Sequence, residues 1–208
     1  MKILTQEEFE SRWSALHGGA EIKGAVAWWL SISYQVARIC SAFRISPNFL
    51  TFLGLLTATA MAFSDYAEIA LLLLITSLIF DGIDGSVAIV QGRESNWGSL
   101  LDSLADRISE ALWLYMGWKI GIPAWIAISM WSIASTQEYA RARLASLGYS
   151  QIGVVTPTER PVRASFMAIA LLIFIFEIPG LEVVSYAFLG ALIYSFLRVM
   201  RVTFLILR

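Results

Sequence analysis

Residues 67–118 read AEIALLLLITSLIFDGIDGSVAIVQGRESNWGSLLDSLADRISEALWLYMGW. An uncharged run from Ile69 to Phe80 meets Asp81, and a polar stretch at 91–97 precedes a second segment that is half acidic and half apolar. Crossing a bilayer takes about 20 residues of helix, and both segments, about 67–90 and 98–118, approach that length. The short turn between them makes the two helices antiparallel neighbours. Asp81 and Asp84 are three apart and Asp102 and Asp106 four apart, so each pair shares one helix face. An ionised carboxylate inside a membrane costs at least about 2.5–3.5 kcal/mol, which makes intramembrane acids functional candidates by default.

The rest of the chain agrees with a membrane setting. Of its 208 residues 58% are hydrophobic and only 15% charged, with a mean hydropathy of +0.68. Soluble domains carry about 25% charge. Further apolar stretches at about 47–64, 122–144, 161–178 and 181–204 bring the expected number of spans to six. The expected fold is an all-α integral membrane protein of six transmembrane helices with an N-terminal amphipathic interfacial helix. Residues 1–44 form that juxtamembrane segment, because Leu4, Phe9, Trp13, Leu16, Trp28, Trp29, Ile32 and Val36 recur at helical spacing among polar residues. A helix packed on the cytoplasmic face of the bundle fits the same pattern. Residues 45–208 form the six-helix domain.

Charge assigns the sides. The loops at 65–68, 119–121 and 177–182 hold four acids and one basic residue, Lys119, of the 15 Lys and Arg in the chain. The positive-inside rule then puts both termini and the acidic cluster on the cytoplasmic side of the cytoplasmic membrane. The first 24 residues carry Glu7, Glu8, Glu10 and Glu21 before any long apolar run, so no secretory signal is expected. A net charge of −1 offers no footprint for nucleic acid. The single cysteine, Cys40, excludes an internal disulfide.

Four oxygen donors at one place suit a hard divalent cation, Mg²⁺, Mn²⁺ or Ca²⁺, and no Cys or His stands near enough in sequence to favour zinc. His17, the only histidine, reads as solvated. The bland alternative for the acids is salt bridging to Arg93, Arg107 or Arg141. Gly82, Gly85 and Gly98, with Ser86, Ala88 and Ser99, fall among the acids, where small residues permit close approach of a ligand or of another helix.

Residues 81–106, DGIDGSVAIVQGRESNWGSLLDSLAD, resemble the signature of the CDP-alcohol phosphotransferase family, D-x2-D-G-x2-A-R-x8-G-x3-D-x3-D. Asp81, Asp84, Gly85, Ala88, Gly98, Asp102 and Asp106 match in register, and SPNFLT at 46–51 resembles the family's Pro-Asn…Thr segment. The resemblance implies transfer of a phosphatidyl group from CDP-diacylglycerol or a related CDP-lipid to an alcohol, with release of CMP. It implies a pair of Mg²⁺ or Mn²⁺ ions on Asp81, Asp84, Asp102 and Asp106, with Asp106 as general base. It also implies a donor nucleotide pocket formed by Pro47, Thr51, Asp81, Gly85, Ala88, Gly98 and Ser99. Ile89 replaces the motif's arginine, and Arg93, one helical turn on, is the candidate substitute.

For the acceptor, Arg160 in TERPVR (158–163), with Arg198 or Arg201, is similar to the acceptor-phosphate pocket of phosphatidylinositol-phosphate synthases in that family. At the end of span four those enzymes resemble S-x2-K-A-R, and Thr136, Tyr139, Ala140 and Arg141 stand at these positions, without the lysine. The expected acceptor is a small polar alcohol, a phosphorylated polyol such as inositol phosphate or glycerol phosphate. A neutral alcohol or a second phospholipid is the alternative. Arg143, Arg163 and Arg208 read as positive-inside charges that snorkel to lipid headgroups. The family implies a homodimer, for which Gly117-x3-Gly121 offers a packing pair. A cation transporter would also use intramembrane acids, but no inverted repeat is visible. An inactive homologue would explain Ile89, though intact Asp106 argues against it.

Overall fold

The computed structural model describes residues 4–16, 18–149 and 156–208. Among them are eight helices and no strand: α1 (Gln6–Leu16), α2 (Ala25–Ala42), α3 (Pro47–Phe63), α4 (Ala67–Gln91), α5 (Asn96–Lys119), α6 (Ala124–Ser146), α7 (Arg160–Ile175) and α8 (Leu181–Leu207). The all-α expectation holds, and each of the six apolar stretches becomes one helix, α3 to α8. His17 lies outside the described residues.

By length and apolar composition, α4 and α8 can each cross a membrane, and α2 with α3 makes a third candidate bent by 110° at its break. The other helices fall short for physical reasons. With 17 residues in α3 and 16 in α7, a rise of about 1.5 Å per residue gives roughly 24–26 Å. The charges of α5 and α6, among them Asp102, Glu110, Glu138 and Arg141, dilute their apolar runs. The fifth stretch ends at Ile175 rather than 178 because the chain turns there. Glu177 adopts φ 52°, and the Ile178 N–H donates to Ile173 O at 2.9 Å, a Schellman closure.

The N-terminal segment is two helices rather than one. Gly18, Gly19 and Gly24 all have positive φ, and the Ser14 hydroxyl donates to the Ala20 carbonyl at 2.9 Å to hold the intervening turn. Thr5 and Glu8 form a reciprocal capping box at the start of α1, with Thr5 N–H to Glu8 Oε2 at 2.7 Å and Glu8 N–H to Thr5 Oγ1 at 3.2 Å.

The chain divides into two compact units. The first comprises the residues up to Ala58 together with Ile75–Ile108. Its core joins Phe9 of α1, Leu30, Tyr34 and Ala37 of α2, Leu50 of α3, and Ile83, Val87 and Val90 of α4. Where α3 crosses α4, a Cβ on Gly54 would lie 3.4 Å from the Ser77 carbonyl oxygen, and the Ser77 hydroxyl donates to Gly54 O at 2.7 Å. Glycine allows this close crossing.

The second unit comprises Thr59–Leu74 and Ser109–Arg208. Here α6 and α7 pack on α8, with Phe166 and Phe188 stacked at 4.2 Å between ring centroids. Gly117 is used inside this unit, since a Cβ there would meet Ile122 Cδ1 at 3.0 Å and Met167 Sδ at 3.6 Å. Gly121, at φ 113°, lies beyond the end of α5. The two glycines therefore do not form a helix face open to a second copy.

Arg163 also departs from the sequence reading. It is 6% exposed, and its Nε and Nη2 donate to Glu110 Oε1 at 3.0 and 2.8 Å. Its Nη1 donates to the Thr158 carbonyl at 2.8 Å. The guanidinium is turned into the unit because a buried carboxylate meets it, not outward toward headgroups. Removing one partner of a buried pair leaves an uncompensated charge, which costs about 3–5 kcal/mol. Arg163→Ala should therefore lower the thermal midpoint of the detergent-solubilised protein sharply, whereas replacing the exposed Arg198 should leave it nearly unchanged.

Candidate active site

The site of the first unit is built on the hairpin between α4 and α5. Gly92, at φ 61°, closes α4: Arg93 N–H donates to Ala88 O at 2.9 Å and Gly92 N–H to Ile89 O at 3.1 Å. Ser95 then caps α5, its Oγ accepting from Gly98 N–H at 3.0 Å. Reversing direction within four residues sets the second helix beside the first. Asp81, Asp102 and Asp106 come together, with one carboxylate oxygen of each within 4.8 Å of the others.

Asp84 is not one of the three. It is buried, 6% exposed, and accepts a short hydrogen bond from the Thr51 hydroxyl. Thr51 thus ties α3 to the acid-bearing turn of α4. The salt-bridge alternative is realised at Arg107, whose Nη2 stands 3.8 Å from Asp106 Oδ2. Three half-buried carboxylates at this separation repel one another, and an all-oxygen donor set fits a hard divalent cation. Asp81, Asp102 and Asp106 are the residues able to hold it.

Asp81 and Asp102 line a pocket of about 600 Å³, and Asp106 stands beside them. Of the residues expected at a donor nucleotide, Pro47, Thr51, Gly85, Ala88, Arg93, Gly98 and Ser99 all line it, together with Asp81, Asp84 and Asp102. Gly98 allows the start of α3 to approach: a Cβ would lie 3.4 Å from Asn48 Oδ1 and 3.2 Å from Ser95 Oγ. Arg93 is exposed on the pocket rim. Glu94, next to it in the turn, accepts from Arg12 Nε at 2.7 Å. Ile89 lines the pocket yet is 4% exposed and belongs to the core.

The residues expected at an acceptor all lie in the second unit, and the structure gives them different surroundings. Arg141 forms a bidentate pair with Glu159, Nη1 to Oε2 at 2.8 Å and Nη2 to Oε1 at 2.7 Å, and lies 3.4 Å from Glu138. Glu138 is also 3.4 Å from Arg163, so Glu110, Arg163, Glu138, Arg141 and Glu159 form one alternating chain of charge. Arg160 lies over the Trp113 ring, 5.7 Å from its centroid. Arg198, Arg201, Thr136 and Tyr139 are exposed, with the Thr136 hydroxyl donating to Ser132 O at 2.7 Å.

Residues 44–204 match the CDP-alcohol phosphatidyltransferase family. The chain belongs to that family. Among its relatives is an archaetidylinositol phosphate synthase of Aeropyrum pernix, 38% identical over 120 residues, which are 56% of this chain and 62% of that one. A phosphatidylinositol phosphate synthase of Cutibacterium acnes is 29% identical over 146 residues, 64% of this chain and 70% of that one. The chain therefore spans somewhat under two thirds of the first relative's length and slightly more of the second's. The fold is that of the Mycobacterium tuberculosis phosphatidylinositol phosphate synthase solved with CDP-DAG bound, with a TM-score of 0.71 at 20% identity over 83% of this chain and 94% of that one. A second structure of that protein, in complex with manganese and citrate, gives 0.69 at 18% identity, over 83% of this chain and 88% of that one.

Family membership accounts for the carboxylates and glycines, but several structural partners had gone unnoticed in the sequence. Glu110, Glu138 and Glu159 neutralise arginines that read as free. Trp29 lies against Gly82, where an added Cβ would come within 2.7 Å of its Cζ2. Gly82→Ala must push this ring away, and overpacking of that kind costs about 1–3 kcal/mol. A lowered melting midpoint together with weaker nucleotide binding is expected, because Trp29 and Gly82 both line the pocket.

Glu159 gives a pH dependence. Burial pushes its carboxyl up, but the hydrogen bonds from Arg141 and from the Thr156 N–H and hydroxyl outweigh that and hold it at about 2, below its ordinary 4.5. A carboxylate depressed in the folded state contributes stability that is present above pH 4.5 and lost as pH falls toward 2. The melting midpoint should drop across that window, and Glu159→Gln should flatten the drop.

Proposed function

We propose that the chain transfers the phosphatidyl group, or a related phospholipid group, from a CDP-lipid to a hydroxyl of a phosphorylated polyol, releasing CMP. The observation that carries this reading is the meeting of Asp81, Asp102 and Asp106 at the edge of a pocket lined by the family's glycines. The names of the relatives, archaetidylinositol phosphate synthase and phosphatidylinositol phosphate synthase, support a phosphorylated inositol as acceptor.

On this reading Asp81, Asp84, Asp102 and Asp106 hold Mg²⁺ or Mn²⁺, as a pair of ions. The metal, when bound, neutralises the diphosphate and orients the attacking and leaving oxygens. Asp106 accepts the proton of the attacking hydroxyl. That oxygen bonds to the lipid-bearing phosphorus as the bond to the bridging oxygen breaks, and CMP leaves with the electron pair. Pro47, Thr51, Gly85, Ala88, Arg93, Gly98 and Ser99 surround the nucleotide, with Arg93 supplying charge in place of the motif arginine. Thr51 holds Asp84 in position. Arg160, Arg198 and Arg201 bind the acceptor's phosphate beside Thr136 and Tyr139, while Arg141, engaged by Glu159, positions the Arg160 segment.

The distribution of Lys and Arg and the six apolar runs support a membrane setting for this reading. α3 to α8 are six transmembrane helices forming a catalytic domain over 45–208, and residues 1–44 are an amphipathic segment at the interface. Both termini and the site face the cytoplasm across the cytoplasmic membrane, and the chain works as a homodimer. A lipid tail then stays in the bilayer while CMP departs into water.

Purified protein supplied with CDP-diacylglycerol, Mg²⁺ or Mn²⁺, and a panel of inositol phosphate, glycerol phosphate, inositol, serine and phosphatidylglycerol tests this. CMP release should require a phosphorylated polyol and fall by about 10²–10⁴ in Asp106→Asn, the usual share of a general base. Turnover near wild type in that variant would remove Asp106 as the base. Absence of CMP with every acceptor would overturn the transferase reading.

A further inference from the structure

The segment preceding residue 44 lies outside the family match, yet α1 reaches the pocket. It is a fastened element rather than a loose tail. Phe9 is fully buried, its ring centroid 5.4 Å from that of Tyr34. The Tyr34 hydroxyl donates to the Leu4 carbonyl at 2.9 Å. Arg12 Nε bonds Glu94 in the turn between α4 and α5. Phe9, Trp13 and Leu16 follow one another at i, i+4 and i+7 along one helix face, and where Phe9 enters the core, Trp13 and Leu16 line the pocket.

The position of Trp13 along the pocket selects what it meets. Its neighbour Arg12 is held at Glu94, beyond the end of α4, whereas Asp81 lies ten residues earlier than Gln91 on that helix. Ten residues of helix are about 15 Å. The pocket runs from Asp81 and Asp102 past Ala88 to Arg93, Glu94 and Ser95, so a nucleoside that fills it from phosphates at the acidic end points toward the turn and α1. Trp13, half-buried and packed in part against the core, lines that path, and bases stack on aromatic side chains with little regard to sequence.

Resting on the transferase reading above, we propose that α1 forms a wall of the donor pocket and that Trp13 receives the nucleobase of the donor. The helix is then a part of the binding site that this chain supplies in addition to its family motif.

The test uses the full-length protein in detergent with CDP, which carries the nucleotide without the lipid, and Mg²⁺. Calorimetry should give CDP binding to wild type, roughly tenfold weaker binding to Trp13→Leu, and binding within about twofold of wild type for Trp13→Phe. Mn²⁺ binding should stay unchanged in both variants, and the melting midpoint should fall to a similar, small extent in both, so that affinity separates them where stability does not. Wild-type affinity for CDP in Trp13→Leu would overturn the proposal and leave the transferase reading standing. Equal losses of affinity and stability in both variants would mark Trp13 as structural and overturn it too. Failure of wild type to bind CDP with metal would overturn both. A measurement independent of any variant is photo-crosslinking of wild type with 5-iodo-CDP. Label on the peptide bearing Trp13 is expected, and label only on other peptides would refute the assignment.

Discussion

Carboxylate oxygens of Asp81, Asp102 and Asp106 lie within 4.8 Å of one another in a largely apolar helix pair. Two unit charges at about 4 Å repel by about 4 kcal/mol at an effective dielectric of 20, so the arrangement persists only if the surrounding structure insists on it. The first unit supplies that insistence through short-range devices. Gly92 ends α4, Ser95 starts α5, Gly54 lets α3 and α4 cross closely, and Thr51 binds Asp84. Each device orders backbone around the acids. A divalent ion bound there would meet donors already placed and would be favoured by the relief of their repulsion.

The second unit handles charge in the opposite manner. Glu110, Arg163, Glu138, Arg141 and Glu159 alternate in sign and satisfy one another. Three carboxylates and two guanidiniums sum to −1, so this chain of pairs has no excess of positive charge for an anion. Arg160 lies over Trp113, and Arg198 and Arg201 are exposed. The alternation makes the unit rigid, since every arginine hydrogen bond in it fixes a helix or the segment leading into α7.

What the sequence revealed depended on how local the physics was. The meeting of Asp81 with Asp102 and Asp106 was legible because helix periodicity and a short turn determine which residues share a face, whereas the withdrawal of Asp84 to Thr51 on another helix was not. The six long helices were legible because apolar runs need no partner to be seen. Breaking residues 1–44 into α1 and α2 was also within reach, as Gly18, Gly19 and Gly24 stand in the sequence and take positive φ in the structure. The partner of Arg163 was not, because Glu110 lies 53 positions away and no spacing rule links them. The same holds for Trp29 on Gly82 and for Gly117 on Met167. Small residues announced close packing without saying which element would fill the space.

Ile89 has two faces, one on the pocket and one in the core with Val87 and Val90. Where the family motif has arginine, this position belongs to a hydrophobic contact set, 4% exposed. An arginine placed there alone would forfeit apolar contacts and bury a flexible charged stem among residues packed around isoleucine. The exposed turn beyond α4, where Arg93 lines the pocket, can carry a charge without that penalty, so the backbone offers two positions for one charge and the packing decides between them.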